Sequence, residues 1–365
     1  EAETHFFSVS GSPNASVAIG KWGSITWHEE TVDEKGNPVL GDRMDGVVTD
    51  GAARVRAKVE IRGLVIKTGD KFNQNVTVKL NDPKGNGGLC DSLDENKDCN
   101  QDKLIEVKLE WDANEKIHIF STSTPVYYQG PETFVRSGNK DDKDASSRTV
   151  EVVVQSNGTV HATGTIILER PPVLLLHGIW GSPASWDKFK PMLEAKGFEW
   201  VETVSYKNDE SFSNIDTLRE VRNKVDEMLI TVRKDRIAAR KVDVVAHSMG
   251  GLVTRALCNS AERTHLNGKV MTFRELCREA IRKLITLDTP HYGSELADWL
   301  LLHERHRDEF YKQLEIRSLS PNKKDCNERV SAFVNGDAVG LYNLPLTVDI
   351  PAHNVLPDGA VDSLA

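Results

Sequence analysis

No apolar run in this sequence exceeds Val173–Leu176, a core-strand length, whereas a membrane-spanning helix needs ~18–20 apolar residues. A transmembrane segment is therefore not expected. Positive charge is not in excess either: 46 Lys and Arg stand against 55 Asp and Glu, a net charge of −9. Nucleic-acid binders present a basic face to phosphate, so that class is excluded as an expectation. The first residues, Glu1-Ala-Glu-Thr, lack the basic and apolar regions of a secretory leader, and the expectation is that any leader has been removed. Cysteine is scarce and odd in number, at five. Cys90 and Cys99 flank an Asp-rich stretch and are expected to pair, which points to a secreted, cell-surface or periplasmic protein. Cys258, Cys277 and Cys326 leave at least one thiol over.

What is present is ordinary globular composition, 39% apolar and 28% charged over 365 residues. Two domains are expected at this length. The sequence divides near Arg170-Pro171-Pro172 into residues 1–170 and 171–365. Before the division, segments such as Val55-Arg-Ala-Lys-Val-Glu-Ile, Val76-Thr-Val-Lys-Leu and Ile105-Glu-Val-Lys-Leu-Glu-Trp alternate in polarity between Gly, Asn, Asp and Pro clusters. Short alternating strands of this kind predict an all-β sandwich. The polar stretch Ser137–Ser147 reads as a mobile loop.

After the division the period changes. Val173–Leu176, Phe198–Tyr206, Lys241–Ala246 and Leu284–Leu287 read as strands. Between them, Asp187–Lys196, Asn214–Lys234 and Met249–Cys258 read as helices, the longest with Ile215, Leu218, Val221, Val225, Leu229 and Val232 on one face. Fully apolar strands alternating with amphipathic helices predict an α/β domain with a parallel sheet. Ligands bind such sheets at the carboxyl ends of the strands.

Three segments at strand ends carry chemistry. Val244-Val-Ala-His-Ser-Met-Gly-Gly puts Ser248 on a tight strand-to-helix turn, with Ala246 and Gly250 relieving crowding at its flanks and Gly251 admitting the following helix. Such a turn presents the serine Oγ at the top of a sheet, as a nucleophile. Pro171-Pro-Val-Leu-Leu-Leu-His-Gly-Ile-Trp-Gly-Ser ends a strand in a glycine-bearing loop. Acyl transfer needs two preorganised N–H donors for the oxyanion; the backbones of Ile179 and Met249 are the candidates. His177 is assigned a structural role. The third segment is Leu284-Ile-Thr-Leu-Asp-Thr-Pro-His-Tyr-Gly-Ser.

With L-L-H-G-I-W-G-S, A-H-S-M-G-G and T-P-H-x-G-S in this order, residues 171–365 resemble the lipase/esterase branch of the α/β-hydrolase fold. Residues 1–170 show no such resemblance. The resemblance implies a triad in the order Ser, Asp, His. It places the acid at Asp358 in Asp358-Gly-Ala-Val, with Asp362 and Asp288 as fallbacks. The base should follow a further helix and strand, and only seven residues separate Asp358 from Ala365. The α/β-hydrolase domain is thus expected to be C-terminally incomplete, its histidine lying beyond Ala365, with His353 as fallback. His291 belongs to T-P-H-x-G-S and is expected to structure that loop, while His303 and His306 sit in a surface helix.

The resemblance implies a serine hydrolase of carboxylic esters that forms an acyl-enzyme on Ser248 and requires no cofactor. A cap or lid is expected at about 290–345, since the stretch from Asp288 to Thr347 is far longer than an ordinary connection. Its Leu296, Trp299, Leu300, Leu301, Leu302, Phe310, Tyr311 and Leu314 favour a lipid-like or aliphatic ester as substrate. Asp91, Asp94, Asn96, Asp98, Asn100 and Asp102 place oxygen ligands along one loop, where Ca²⁺ is the one metal to consider. A solvated hairpin tip is the preferred reading. The alternative for the whole chain is an inactive or truncated hydrolase whose N-terminal sandwich binds a surface or polymer.

Overall fold

The computed structural model describes residues 22–294, except 36, 63–73, 93–98, 100–104, 113–118, 123–124, 157–158, 180, 207–211 and 267–268. Eighteen strands are present among them. In chain order they are β1 Trp22–Val32, β2 Pro38–Met44, β3 Gly46–Val48, β4 Arg54–Arg62, β5 Gln74–Leu80, β6 Gly88–Cys90, β7 Ile105–Asp112, β8 Ile119–Thr122 and β9 Tyr127–Gln129. Then follow β10 Ser147–Ser156, β11 Thr159–Glu169, β12 Val173–Leu176, β13 Val201–Val204, β14 Ile237–Ala238, β15 Val242–His247, β16 Arg263–Leu266, β17 Lys269–Thr272 and β18 Ile281–Leu287. The helices are α1 Phe189–Glu194, α2 Ile215–Lys234, α3 Met249–Asn259 and α4 Phe273–Ala280.

The chain forms two compact units that interleave in sequence. The first takes residues up to Asp45, Arg54–Gln129 and Thr149–Ile167; the second takes Gly46–Ala53, Gly130–Arg148 and everything from Leu168 onward. The sequence reading divided the chain once, at residue 170. The compact units are divided by space instead, and two short stretches of the earlier half belong to the later unit.

The first unit is almost wholly antiparallel. Its strands run β11-β10-β5-β7-β8-β4-β1-β2, with β9 paired to β4 and to β6. β1 also pairs with β11 at Ser24 and Thr163, so the pairings of this sheet return on themselves. Two glycines permit this approach. A Cβ on Gly23 would lie 2.7 Å from the Ala162 Cβ, and one on Gly164 would lie 2.6 Å from the Ile25 Cβ. Val55, Val59, Val76, Val78, Val152 and Val154 are buried, as alternate residues on the inward face of a strand should be. Cys90 and Cys99 form a disulfide.

The second unit is built on a four-stranded parallel sheet in the order β13-β12-β15-β18. β12 is buried along its length, which explains its unbroken apolar sequence. Beneath α1, Trp186 joins Val173, Leu175, Val201 and Val245 in one core cluster, with Phe189, Leu193 and Phe198 packed against it. α2 begins at Asn214, whose side chain accepts from the Asp216 N–H, an ordinary N-cap. Its buried face is Leu218, Val221, Val225, Met228, Leu229 and Val232, the 3.6-residue stripe read from the sequence. Burying six such side chains contributes about 1.5–3 kcal/mol each. α4 starts with a capping box, Thr272 and Glu275 satisfying each other's backbone N–H groups. A second disulfide, Cys258–Cys277, ties α3 to α4.

The two early stretches are fixed to this sheet by charged groups. Asp50, 4% exposed, accepts from the Ala52 and Ala53 N–H groups with one carboxylate oxygen and from the Arg240 and Lys241 N–H groups with the other. Arg282 pairs with buried Asp243 and donates to the carbonyls of Thr49 and Glu132. The segment 137–147, expected to be mobile, is held here too. The Arg136 guanidinium grips Asp142 through two bonds of 2.9 Å and keeps its carboxyl near 2, below the usual range. Arg170 donates to the carbonyls of Asp142, Lys143 and Ala145.

Candidate active site

β15 leads directly into α3, and Ser248 is the hinge between them, with φ 50° and ψ −122°. That is a left-handed backbone which a non-glycine residue adopts only when its surroundings impose it. The surroundings are visible. The Ser248 N–H donates to the Leu287 carbonyl at 2.8 Å, its carbonyl accepts from the Gly251 N–H at 3.1 Å, and the same carbonyl accepts from Thr289 Oγ1 at 2.9 Å. Two glycines are required. A Cβ on Gly250 would meet the His177 carbonyl oxygen at 2.7 Å, and one on Gly251 would meet Thr289 Oγ1 at 2.3 Å.

β12 and β15 are paired from Val173/Asp243 to Leu176/Ala246. The chain passes from β12 to β13 on one side and reaches β15 on the other, so their carboxyl ends form the switch point of the sheet, where ligands bind. The loop 177–179 leaves β12 at that point. A Cβ on Gly178 would lie 2.8 Å from the Ser248 Cβ and 2.9 Å from His247 Nδ1. The structure therefore brings the His177-Gly178-Ile179 loop against the Ser248 turn. Ile179 is half-buried, and Met249 is the first residue of α3, at the positive end of the helix.

His177 is 1% exposed. Its Nδ1 bonds to the Gly178 carbonyl at 3.0 Å, and burial lowers its pKa despite that bond. Its ring stacks flat on Tyr206, with centroids 4.2 Å apart. The Tyr206 hydroxyl donates to the His177 carbonyl, and burial raises its pKa. The sequence places Tyr206 at a strand end and gives no sign of its contact with His177. Its hydrogen bond to a residue 29 positions earlier leaves no periodic trace.

His291 is bound at both ring nitrogens, to Arg255 at 2.9 Å and Thr286 at 3.1 Å. Burial and then the Arg255 charge push its pKa down. It anchors the turn after β18. Asp288 is exposed at that turn with φ 51°. Asp358, Asp362, His353, His303, His306, Cys326 and the expected lid lie outside the described residues, as does the acidic loop apart from Asp91. Among the described residues no group of three or more His, Cys, Asp and Glu is placed to hold a metal, and no helix is long and apolar enough to cross a membrane.

Residues 172–315 match the model of the family described as "Putative serine esterase (DUF676)". That segment carries both the Gly178 loop and Ser248. Among solved structures, the chain is similar to the Bacillus licheniformis lipase BlEst2. Identity to the mature form is 25%, over 36% of this chain and 46% of that one, with a TM-score of 0.28. For the propeptide form it is 26%, over 36% and 24%, with a TM-score of 0.27. The chain thus spans less than half the length of either lipase chain. No curated protein matches it.

Proposed function

We propose that the protein hydrolyses carboxylic esters of lipid-like or aliphatic character through an acyl-enzyme on Ser248. The observation that carries this reading is the backbone of Ser248, held at φ 50° between strand and helix with the Gly178 loop closed against it. Left-handed backbone at such a junction is maintained where a serine is displayed for attack.

In this reading Ser248 Oγ attacks the ester carbonyl while a histidine accepts its proton. The carbonyl oxygen becomes an oxyanion between the N–H groups of Ile179 and Met249. The same histidine protonates the leaving alkoxide, and water then repeats the attack on the acyl-enzyme. Asp358 is the proposed acid that orients the histidine, and His353 is the histidine of this chain assigned as fallback. The chemistry calls for no cofactor. Secretion or a periplasmic site is proposed with it, supported by Cys90–Cys99 and Cys258–Cys277, since disulfides persist in oxidising compartments.

The test is hydrolysis of p-nitrophenyl esters of increasing acyl length by the wild type and Ser248→Ala. Loss of a nucleophile removes roughly 10³-fold or more of kcat. Equal turnover by the two proteins would sink the reading.

A further inference from the structure

We propose that His177 aims the oxyanion donor of Ile179, and that Tyr206 clamps His177 for that task. The inference rests on the ester-hydrolase reading and deepens it by naming two positioning residues.

A trans peptide is planar, so its N–H points opposite to its C=O. The Ile179 N–H shares its peptide with the Gly178 carbonyl. Whatever fixes that carbonyl therefore fixes the donor. The Gly178 carbonyl is held twice, by His177 Nδ1 at 3.0 Å and by the Gly181 N–H at 3.0 Å. A carbonyl oxygen only accepts, so Nδ1 carries the proton and Nε2 is the bare nitrogen. Among the described residues Nε2 has no hydrogen-bond partner, and it is fully buried. The ring thus spends its single N–H on the Gly178 carbonyl.

The ring is itself immobilised. Its plane lies 8° from that of Tyr206 at 4.2 Å, and the Tyr206 hydroxyl fixes the preceding carbonyl, that of His177. Burial disfavours the imidazolium. Gly178 itself abuts Ser248, with no room for a Cβ. Two successive carbonyls are thus pinned, and the Ile179 N–H is oriented before substrate arrives. Preorganisation of this kind is what gives an oxyanion hole its effect.

The experiment measures kcat and KM for a p-nitrophenyl ester with the full protein carrying His177→Asn, His177→Gln, His177→Phe or Tyr206→Phe, each checked for folding by circular dichroism. The Asn amide nitrogen reproduces the Nδ1 position, whereas the Gln nitrogen falls near Nε2. The expected result is rescue by position: kcat within about 10-fold of wild type for Asn, and down roughly 100-fold for Gln and Phe at little-changed KM. Tyr206→Phe should lower kcat about 10-fold, again at constant KM. Equal kcat for Asn and Gln, or a change confined to KM, would overturn the proposal. Should the His177 variants not fold, Tyr206→Phe decides alone, and unchanged kcat overturns it. A wild type without Ser248-dependent turnover would instead remove the underlying reading, and the proposal with it.

Discussion

Thr289 Oγ1 donates to the Ser248 carbonyl at 2.9 Å. The bond joins the turn after β18 to the turn after β15, and the Ser248 N–H to the Leu287 carbonyl repeats the link from the other side. The end of β18 therefore acts as a brace for the strained serine. Thr289→Val keeps the shape and removes the donor. Losing one of the two hydrogen bonds that the Ser248 carbonyl accepts costs about 0.5–1.5 kcal/mol, and the left-handed backbone of Ser248 has other conformations to relax into. kcat should fall about 10-fold or more at nearly constant KM, measured by steady-state ester hydrolysis. Unchanged kcat would show that the brace is dispensable.

Arg282 and Asp50 predict where the second unit can be cut. A fragment beginning at Pro171 loses Asp50 and the carbonyls of Thr49 and Glu132, leaving Arg282 and the Arg240 and Lys241 N–H groups without those partners. It should express insolubly or melt far below the intact chain. Within the intact chain, Arg282→Ala leaves Asp243 buried at 6% exposure without its ion-pair partner. The expected cost is about 3–5 kcal/mol in denaturant unfolding. A fragment as stable as the intact chain would refute this account of the interleaved unit.

These features show where sequence reading succeeds and where it stops. β12, β15 and the stripe on α2 were legible because burial imposes a period that a side-chain pattern must obey. Ser248 and the Gly178 loop were legible because their turns demand particular small residues. The contribution of residues 46–53 and 130–148 was not. It is made through backbone carbonyls, a short strand pairing, the Asp50 carboxylate and the Asp144–Lys196 ion pair, and none of these imposes a period. β1 was missed for a related reason. Ile25 and Trp27 are buried in alternation, but the register shifts between His28 and Glu30, which breaks the pattern after two repeats. The ring of pairings through Gly23 and Gly164 was likewise hidden, because a glycine does not announce which strand approaches it.

Cys258–Cys277 closes a loop with a sequence separation of 19 and joins the helix that follows Ser248 to the helix that leads into β18. Loop-closure entropy assigns it about 3 kcal/mol. The double variant Cys258→Ala/Cys277→Ala should lower the denaturation midpoint accordingly. An unchanged midpoint would mean that packing between α3 and α4 suffices without the bond.

Glu169 gives the second unit a pH-dependent stability. Burial raises its pKa from the ordinary 4.5 to about 7, with the charges of Glu199 and Asp235 adding to the effect. The folded state therefore binds a proton that the unfolded state releases between pH 4.5 and 7. Stability is fully present below about pH 4.5 and is lost as pH rises through 7. Glu169→Gln should flatten this slope and stabilise the protein above pH 7 by about 1–3 kcal/mol. Thermal melts of both proteins from pH 4.5 to 8.5 check it, and parallel curves would contradict it.

The central claim is that Ser248 is an activated nucleophile beside a formed oxyanion hole. Fluorophosphonate labelling of the folded protein, with the modified residue mapped by mass spectrometry, tests it most directly, because the reagent needs the activated serine and the hole but no particular substrate. The account predicts a single adduct on Ser248 that is abolished in Ser248→Ala. A folded protein that takes up no label, or carries it on another residue, would contradict it.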